Sequence, residues 1–236
     1  MESQLYFWKP MMLNYQNELG LVEIYYRKSL PTFEFTEQDI RNEVEKTFAS
    51  YQFPEGVDLS DIGESMTEAE VNLYETFQTM KSNHLLITIS MLAHMWEQQI
   101  VRFVHKELQE TFRDVPPLSY DKALRVIETH GVEVRTRTSW EKIIRHLVNT
   151  IKHGEGRSAK KLRKLRPDFF ATEGFLEDEI LDILELNGAV LLDPYSLNVE
   201  ESDLFDYIQA TKDFWEEMPE RAFCNLNTGR SWISED

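Results

Sequence analysis

The sequence predicts a mainly α protein, a helical bundle with irregular, acidic N- and C-terminal extensions, and three observations carry that expectation. Residues Thr67 to Phe112 run for 46 positions without a proline or glycine. Serine or threonine followed three residues later by an acid recurs ahead of apolar runs, the pattern by which a side chain satisfies the free N–H groups of a helix start. The apolar residues in those runs repeat at intervals of three and four, which puts them on one helical face. With 42% hydrophobic and 12% aromatic residues in 236, the chain has enough to bury a core. It reads as a single helical domain over residues 1–236, with its motif-bearing part at about 67–167.

Taken in order, the first 35 residues are aromatic and punctuated by Pro10 and Pro31, and LGLVEIYYR there is compatible with strand or helix. Thr36 with Asp39 opens a helix running from Glu37 to about Ser50, after which FPEGVDLSDIGES reads as a loop. The stretch from Thr67 is one very long helix or two, with a break at Lys81, Ser82 and Asn83 favoured. At 100° per residue, Leu85, Ile89, Leu92, Trp96, Ile100 and Phe103 share a stripe, while His84, Gln98, Arg102 and His105 lie roughly opposite. Pro116 and Pro117 end it. Ser119 caps a helix to about Thr129 that Gly131 closes, and VEVRTR is an extended connector. Thr138 with Glu141 opens the next helix, closed by Gly154; its buried face is Ile143, Ile144, Leu147, Val148 and Ile151, its polar face Lys142, Arg145, His146, Asn149 and His153. Ser158 caps AKKLRKLR, which Pro167 stops. In the acidic last third, helices are expected at LEDEILDILEL and SDLFDYIQATKDFWEEM, separated by GAVLLDP as a strand or loop.

Several function classes drop out. The single cysteine, Cys224, forms no internal disulfide, and the absence of CxxC or Cys/His clusters speaks against zinc. His94, Glu97 and His105 do not make a metal triad, since on a helix Glu97 points away from His105. The most apolar run, Leu85 to Trp96, is shorter than the ~18–20 residues of a bilayer span, and MESQLYFWKP lacks the pattern of a signal peptide, so a cytoplasmic setting without membrane partners is expected. No Gly-rich nucleotide loop, GxSxG or Cys/His nucleophile pair is present, and no cofactor or metal is expected. Carboxylates in LEDEILDILE read as a solvated face, and Phe169, Phe170, Phe175, Phe214 and Trp215 as core or dimer interface.

Charge is distributed unevenly. Arg135 to Arg166 holds eleven bases against two acids, a local +9, within a chain of net −17 whose remainder carries −26. Phosphates are repelled by such a remainder, so a phosphate ligand belongs to the basic stretch. The same run also suits a solvated face or pairing with the acidic third or an acidic protein partner.

Within that stretch RHLVNTIKHGEG places Arg145, Asn149 and His153 four residues apart, a polar ladder opposite the apolar face. A histidine at a helix C-terminus can exchange a proton near neutral pH, an arginine fork can hold a phosphate, and Asn149 can position either. Gly154 and Gly156 leave room for a ligand backbone beside Arg157 and Ser158. The set suits metal-independent RNA cleavage, in which a ribose 2′-hydroxyl attacks its neighbouring phosphate.

The segment NTIKHGEG, an Asn four residues before a His at the end of an amphipathic helix, resembles the signature of HEPN domains, many of which are ribonucleases of toxin and phage-defence systems. Their motif is an Arg, commonly followed by a polar residue, with four to six residues between Arg and His. Asn149 and His153 match the polar and His positions, while Val148 stands in the place of the arginine; Arg145, Arg102 or Arg157 are the cations available to substitute. The resemblance implies a homodimer with the motifs facing a shared cleft. The expected function is RNA binding with metal-independent endoribonuclease activity: Arg145, Asn149 and His153 catalytic, and Lys152, Arg157, Ser158, Lys160, Lys161, Arg163, Lys164 and Arg102 binding phosphate. The alternative is a non-catalytic interaction module, an antitoxin or defence-complex subunit, whose basic segment docks an acidic partner.

Overall fold

The computed structural model describes residues 2–53, 58–134, 139–173 and 180–225. Its described elements are β1 (Glu2–Tyr6), α1 (Lys9–Ser29), α2 (Glu37–Ala49), α3 (Leu59–Gln109), α4 (Tyr120–Thr129), α5 (Ser139–His153), α6 (Arg157–Leu165), β2 (Thr172–Glu173), β3 (Ile180–Leu181), α7 (Ile183–Asn187), α8 (Glu201–Glu216) and β4 (Arg221–Asn225), with 3-10 turns at Leu30–Phe33 and Pro167–Phe170. Eight α-helices and two short two-stranded ladders make the fold mainly α, as the periodicity predicts.

Helix α3 is the axis. Its second half is buried along Leu85, Ile89, Leu92, Trp96, Ile100 and Phe103, the predicted stripe, and on further sides as well: Leu86, Thr88, Gln99, Val104 and Glu107 are buried too. Helices α1, α4, α5 and α8 pack around this half, and one hydrophobic core runs from Leu5 to Ala222. A helix covered on several sides has little amphipathic contrast, and this is why His84, expected opposite the apolar stripe, is buried. Its ring stacks between Tyr26 and Phe33 at centroid distances of 4.9 and 4.5 Å, with Ser29 Oγ 2.8 Å from its Nε2.

Three local expectations are corrected. Lys81, Ser82 and Asn83 do not break α3, a single 51-residue helix. None of the three breaks a helix by its backbone, and interior hydroxyls fold back on carbonyls four residues earlier (Thr76 on Asn72, Thr79 on Glu75, Ser90 on Leu86). The expected loop at 53–65 is already helical from Leu59, with Asp58 accepting from Ser60 N–H as the cap and Gly63 inside the helix. Gly156, rather than Ser158, precedes the first turn of α6, and Ser158 sits within it without a capping bond.

The N-terminal extension is regular and internal, not an irregular tail. Pro10 lies in the first turn of α1, where its missing N–H costs nothing, and Met12, Tyr15, Leu19, Val22 and Tyr26 form the buried face against α3 and α8. β1 pairs antiparallel with β4, in a register placing Ser3 opposite Cys224, so the two ends of the described chain are clasped together. His130 joins them: its Nδ1 lies 2.7 Å from Val126 O, and its Nε2 lies 3.1 Å from Ser3 Oγ and 3.2 Å from Cys224 Sγ.

Other expectations stand. Thr36 and Asp39 form a reciprocal capping box, Ser119 accepts from Lys122 N–H, and Gly131 and Gly154 terminate their helices with φ of 87° and 67°. A Cβ on Gly154 would lie 2.1 Å from Gly188 O, so this position requires glycine for space as well as for φ. Helix α8 covers most of SDLFDYIQATKDFWEEM. Of LEDEILDILEL, the described residues give β3 and the short α7. Arg135, Arg137, the Thr138 cap and Phe175 lie outside the described residues.

Candidate functional site

Helix α5 turns Ile144, Leu147, Thr150 and Ile151 into the core, which leaves Lys142, Arg145, His146 and Asn149 on the side facing α4 and α6. Arg145 donates through both terminal nitrogens to Asp121 of α4, at 2.8 and 3.0 Å, and its guanidinium lies 5.7 Å from the centre of the Tyr120 ring. The Tyr120 hydroxyl donates to Glu141 at 3.2 Å. Burial raises the Glu141 pKa, opposed by the Arg145 charge and the Tyr120 hydrogen bond. Asn149 donates to the Arg145 carbonyl at 2.9 Å, an intrahelical bond that fixes its side chain along the helix.

Two cavities meet on this face. The larger, about 610 Å³, lies between α4, α5 and α6, and is lined by Lys142, Arg145, His146, Asn149, Ser158 and Lys161, with Asp121 and Glu141 on the α4 side and at the start of α5. The smaller, about 200 Å³, lies between α3, α4 and α5 against Trp96 and Tyr120. Glu141, Arg145 and Asn149 belong to both. A further cleft of about 560 Å³ along α3 holds Arg102, His105, Glu97 and Tyr120.

His146 is the group that reading the ladder alone passes over. It is half-buried in the larger cleft, its Nδ1 is buried with no partner among the described residues, and burial, then Lys161 and Arg145, lower its pKa, which favours the neutral ring at neutral pH. Polarity and helical position place His146 on the polar face; only the approach of α6 gives it Lys161 and Ser158 as neighbours in one cleft.

The predicted residues therefore divide. Arg145 and Asn149 line both cavities, whereas His153 and Lys152 stand exposed at the end of α5 and line neither. Eight residues at ~1.5 Å put His153 about 12 Å along the axis from Arg145. Ser158 and Lys161 come to the cleft; Arg157, Lys160 and Lys164 are exposed on α6. Arg163 does not join them. It donates to Asp182 at 2.6 and 3.1 Å and to Glu155 at 2.7 Å over the Phe170 ring, which makes it a tie between α6 and α7. Arg166 is tied likewise to Asp168 and Asp203. Arg102 pairs with Glu18 of α1 at 3.1 Å, in the neighbouring cleft rather than beside Asn149. Arg145, Arg163 and Arg166 are thus spent on intramolecular carboxylates, while among the described residues Arg157, Lys142, Lys152, Lys160, Lys161 and Lys164 form no ion pair. Among the described residues no group of three or more His, Cys, Asp or Glu is placed to hold a metal ion, and no helix is long and apolar enough to cross a membrane.

Compared with protein-family models, curated proteins and solved structures, the chain matches none.

Proposed function

We propose that this protein binds RNA through the face shared by α5 and α6, as a HEPN-like homodimer, and cleaves it without a metal. The observation that carries the reading is the 610 Å³ cleft, which gathers Lys142, His146, Asn149, Ser158 and Lys161 around Arg145 in the basic stretch of an otherwise acidic chain. Lysines supply charge for the phosphate backbone, Ser158 and Asn149 supply polar contacts, and a neutral imidazole is in the state to accept a proton from a ribose 2′-hydroxyl. As that oxygen bonds to phosphorus, the bond to the 5′-oxygen breaks and the departing oxygen takes a proton. His146 in the cleft and His153 at the end of the same helix are the acid–base candidates.

The test is purified wild-type, His146→Ala and His153→Ala protein with single-stranded RNA in EDTA, read on a denaturing gel and by fluorescence anisotropy. Loss of an acid–base group lowers the cleavage rate by about 10²–10⁴-fold with binding retained. Reversal of Lys160, Lys161 and Lys164 to glutamate weakens RNA binding and flattens its salt dependence. RNA binding indifferent to that reversal overturns the proposal.

One observation favours the second reading, a non-catalytic module that docks an acidic protein partner. Arg145 and Arg163, whose planar forks suit phosphate best, are already occupied by Asp121 and by Asp182 with Glu155. The remaining lysines are point charges that suit a carboxylate surface equally well. That reading predicts a stoichiometric acidic partner lost on the same lysine reversal, with RNA left intact.

A further inference from the structure

The 200 Å³ cavity between α3, α4 and α5 has a composition that the phosphate cleft beside it lacks. Two of its walls are rings, Trp96 and Tyr120, with centroids 5.5 Å apart and planes at 65°, and Ile144 and Val148 add aliphatic surface. Its polar lining is the carboxylates of Glu97 and Glu141, the imidazole of His94 at 3.7 Å from Glu97, the guanidinium of Arg145, which is held by Asp121, and the amide of Asn149. Trp96 is 1% exposed, and its buried Nε1–H has no hydrogen-bond partner among the described residues.

The donor and acceptor inventory limits what enters. Two carboxylates take N–H donors from a ligand, while Arg145 and the amide of Asn149 offer donors to an acceptor on the same molecule. The space is below the ~300–1,000 Å³ usual for drug-sized ligands and suits a single flat ring system. Aromatic walls with hydrogen-bonding groups at the edge are the means by which proteins hold an unstacked base of single-stranded RNA. Guanine alone among the four RNA bases presents adjacent ring and amino donors, N1–H and N2–H₂, together with the O6 and N7 acceptors. Adenine and cytosine bring one amino group each, and uracil one N–H between two carbonyls. Glu141, Arg145 and Asn149 line this cavity and the basic cleft alike, so one nucleotide can place its base in the first and its phosphate in the second.

We infer that the α3–α4–α5 cavity is a nucleobase pocket selective for guanine, and that it gives the RNA-binding face a sequence preference. The inference rests on the RNA reading above but concerns a separate cavity, and it is tested without an RNA chain. The four ribonucleoside 5′-monophosphates are titrated against the full-length protein and followed by saturation-transfer NMR and calorimetry. Guanosine monophosphate is expected to bind about 10-fold tighter than uridine monophosphate, as one good bidentate contact to a base edge provides. Glu97→Gln and Glu141→Gln each cancel that ratio, and Val148→Phe, which fills the cavity from a different wall, cancels it independently. Lys161→Glu weakens all four nucleotides in parallel and leaves the ratio standing. Equal affinity for the four overturns the guanine pocket while the phosphate cleft survives. Binding of none overturns both. A guanine preference that persists through Glu97→Gln, Glu141→Gln and Val148→Phe places the base elsewhere and also overturns the inference.

Discussion

The two halves of helix α3 share one backbone and one unbroken hydrogen-bond ladder, yet they live in different environments. From His84 onward, residue after residue is buried among α1, α4, α5 and α8; before His84, not one residue of the helix is buried. The first half packs against α2, which inserts Ile40 and Val44, while Phe35 stacks on Phe77 at 3.6 Å. Leu59, Val71 and Tyr74 remain exposed, as do Tyr51 and Phe53 beyond α2. A long helix therefore does not imply a long core. The second half holds its conformation by burial from several sides, and the first half holds it by propensity and one antiparallel neighbour. The candidate site follows the same division, since Trp96, Glu97 and the cavities beside them belong to the buried half.

That contrast can be broken or sharpened by substitution. The largest effect is expected in the second half: Ile100→Ala, at a fully buried position, costs about 2–5 kcal/mol in urea unfolding, against about 0.5 kcal/mol or less for Val71→Ala in the first half. Comparable costs at the two sites would show that the arm carries a core of its own. Next comes acid at the boundary between the halves. Burial lowers the pKa of His84, with Glu201 opposing, and burial likewise lowers that of His130 in the terminal clasp. A histidine whose folded pKa lies below its unfolded value of about 6.5 contributes its full stability above that pH and loses it as the pH falls. Thermal unfolding from pH 7.5 to 5 should show this loss, and His84→Gln should reduce it; an unchanged slope in that variant would remove His84 from the account. Smaller still, Phe77→Ala breaks the stack on Phe35 and costs about 1 kcal/mol, registered as faster amide exchange in α2 with protection of residues 84–108 unaltered. The last effect has the opposite sign. Gly63→Ala adds a methyl with nothing within 4 Å in a helix interior, and should stabilise the arm by about 0.5–1 kcal/mol.

Elements whose cause is local were legible. Thr36 and Ser119 as caps, Gly131 and Gly154 as stops and the apolar stripe of α5 all depend on neighbours within four residues. Helix α1 has an equally regular buried set at Met12, Tyr15, Leu19, Val22 and Tyr26, but Leu13, Leu21, Ile24 and Tyr25 on its exposed side blur the contrast that periodicity relies on. The β1–β4 clasp joins residues more than two hundred positions apart, and no local pattern announces such a pair. In the candidate site, the ladder of Arg145 and Asn149 was visible by spacing, whereas the partners that define its chemistry come from elsewhere: Asp121 and Tyr120 from α4, Lys161 from α6, Trp96 and Glu97 from α3.

By itself, then, the sequence determined the helical class, most helix ends and the confinement of positive charge to one stretch, because capping, periodicity and composition act over a few residues. Tertiary structure decided which of those charges remain available. Arginines at 145, 163 and 166 look identical to the neighbouring lysines in a charge count, yet each is met by a carboxylate brought in by packing, while Lys160, Lys161 and Lys164 are left toward solvent or the cleft. Pairing is set by distances of 3 Å between atoms far apart in the chain, and only the fold fixes those.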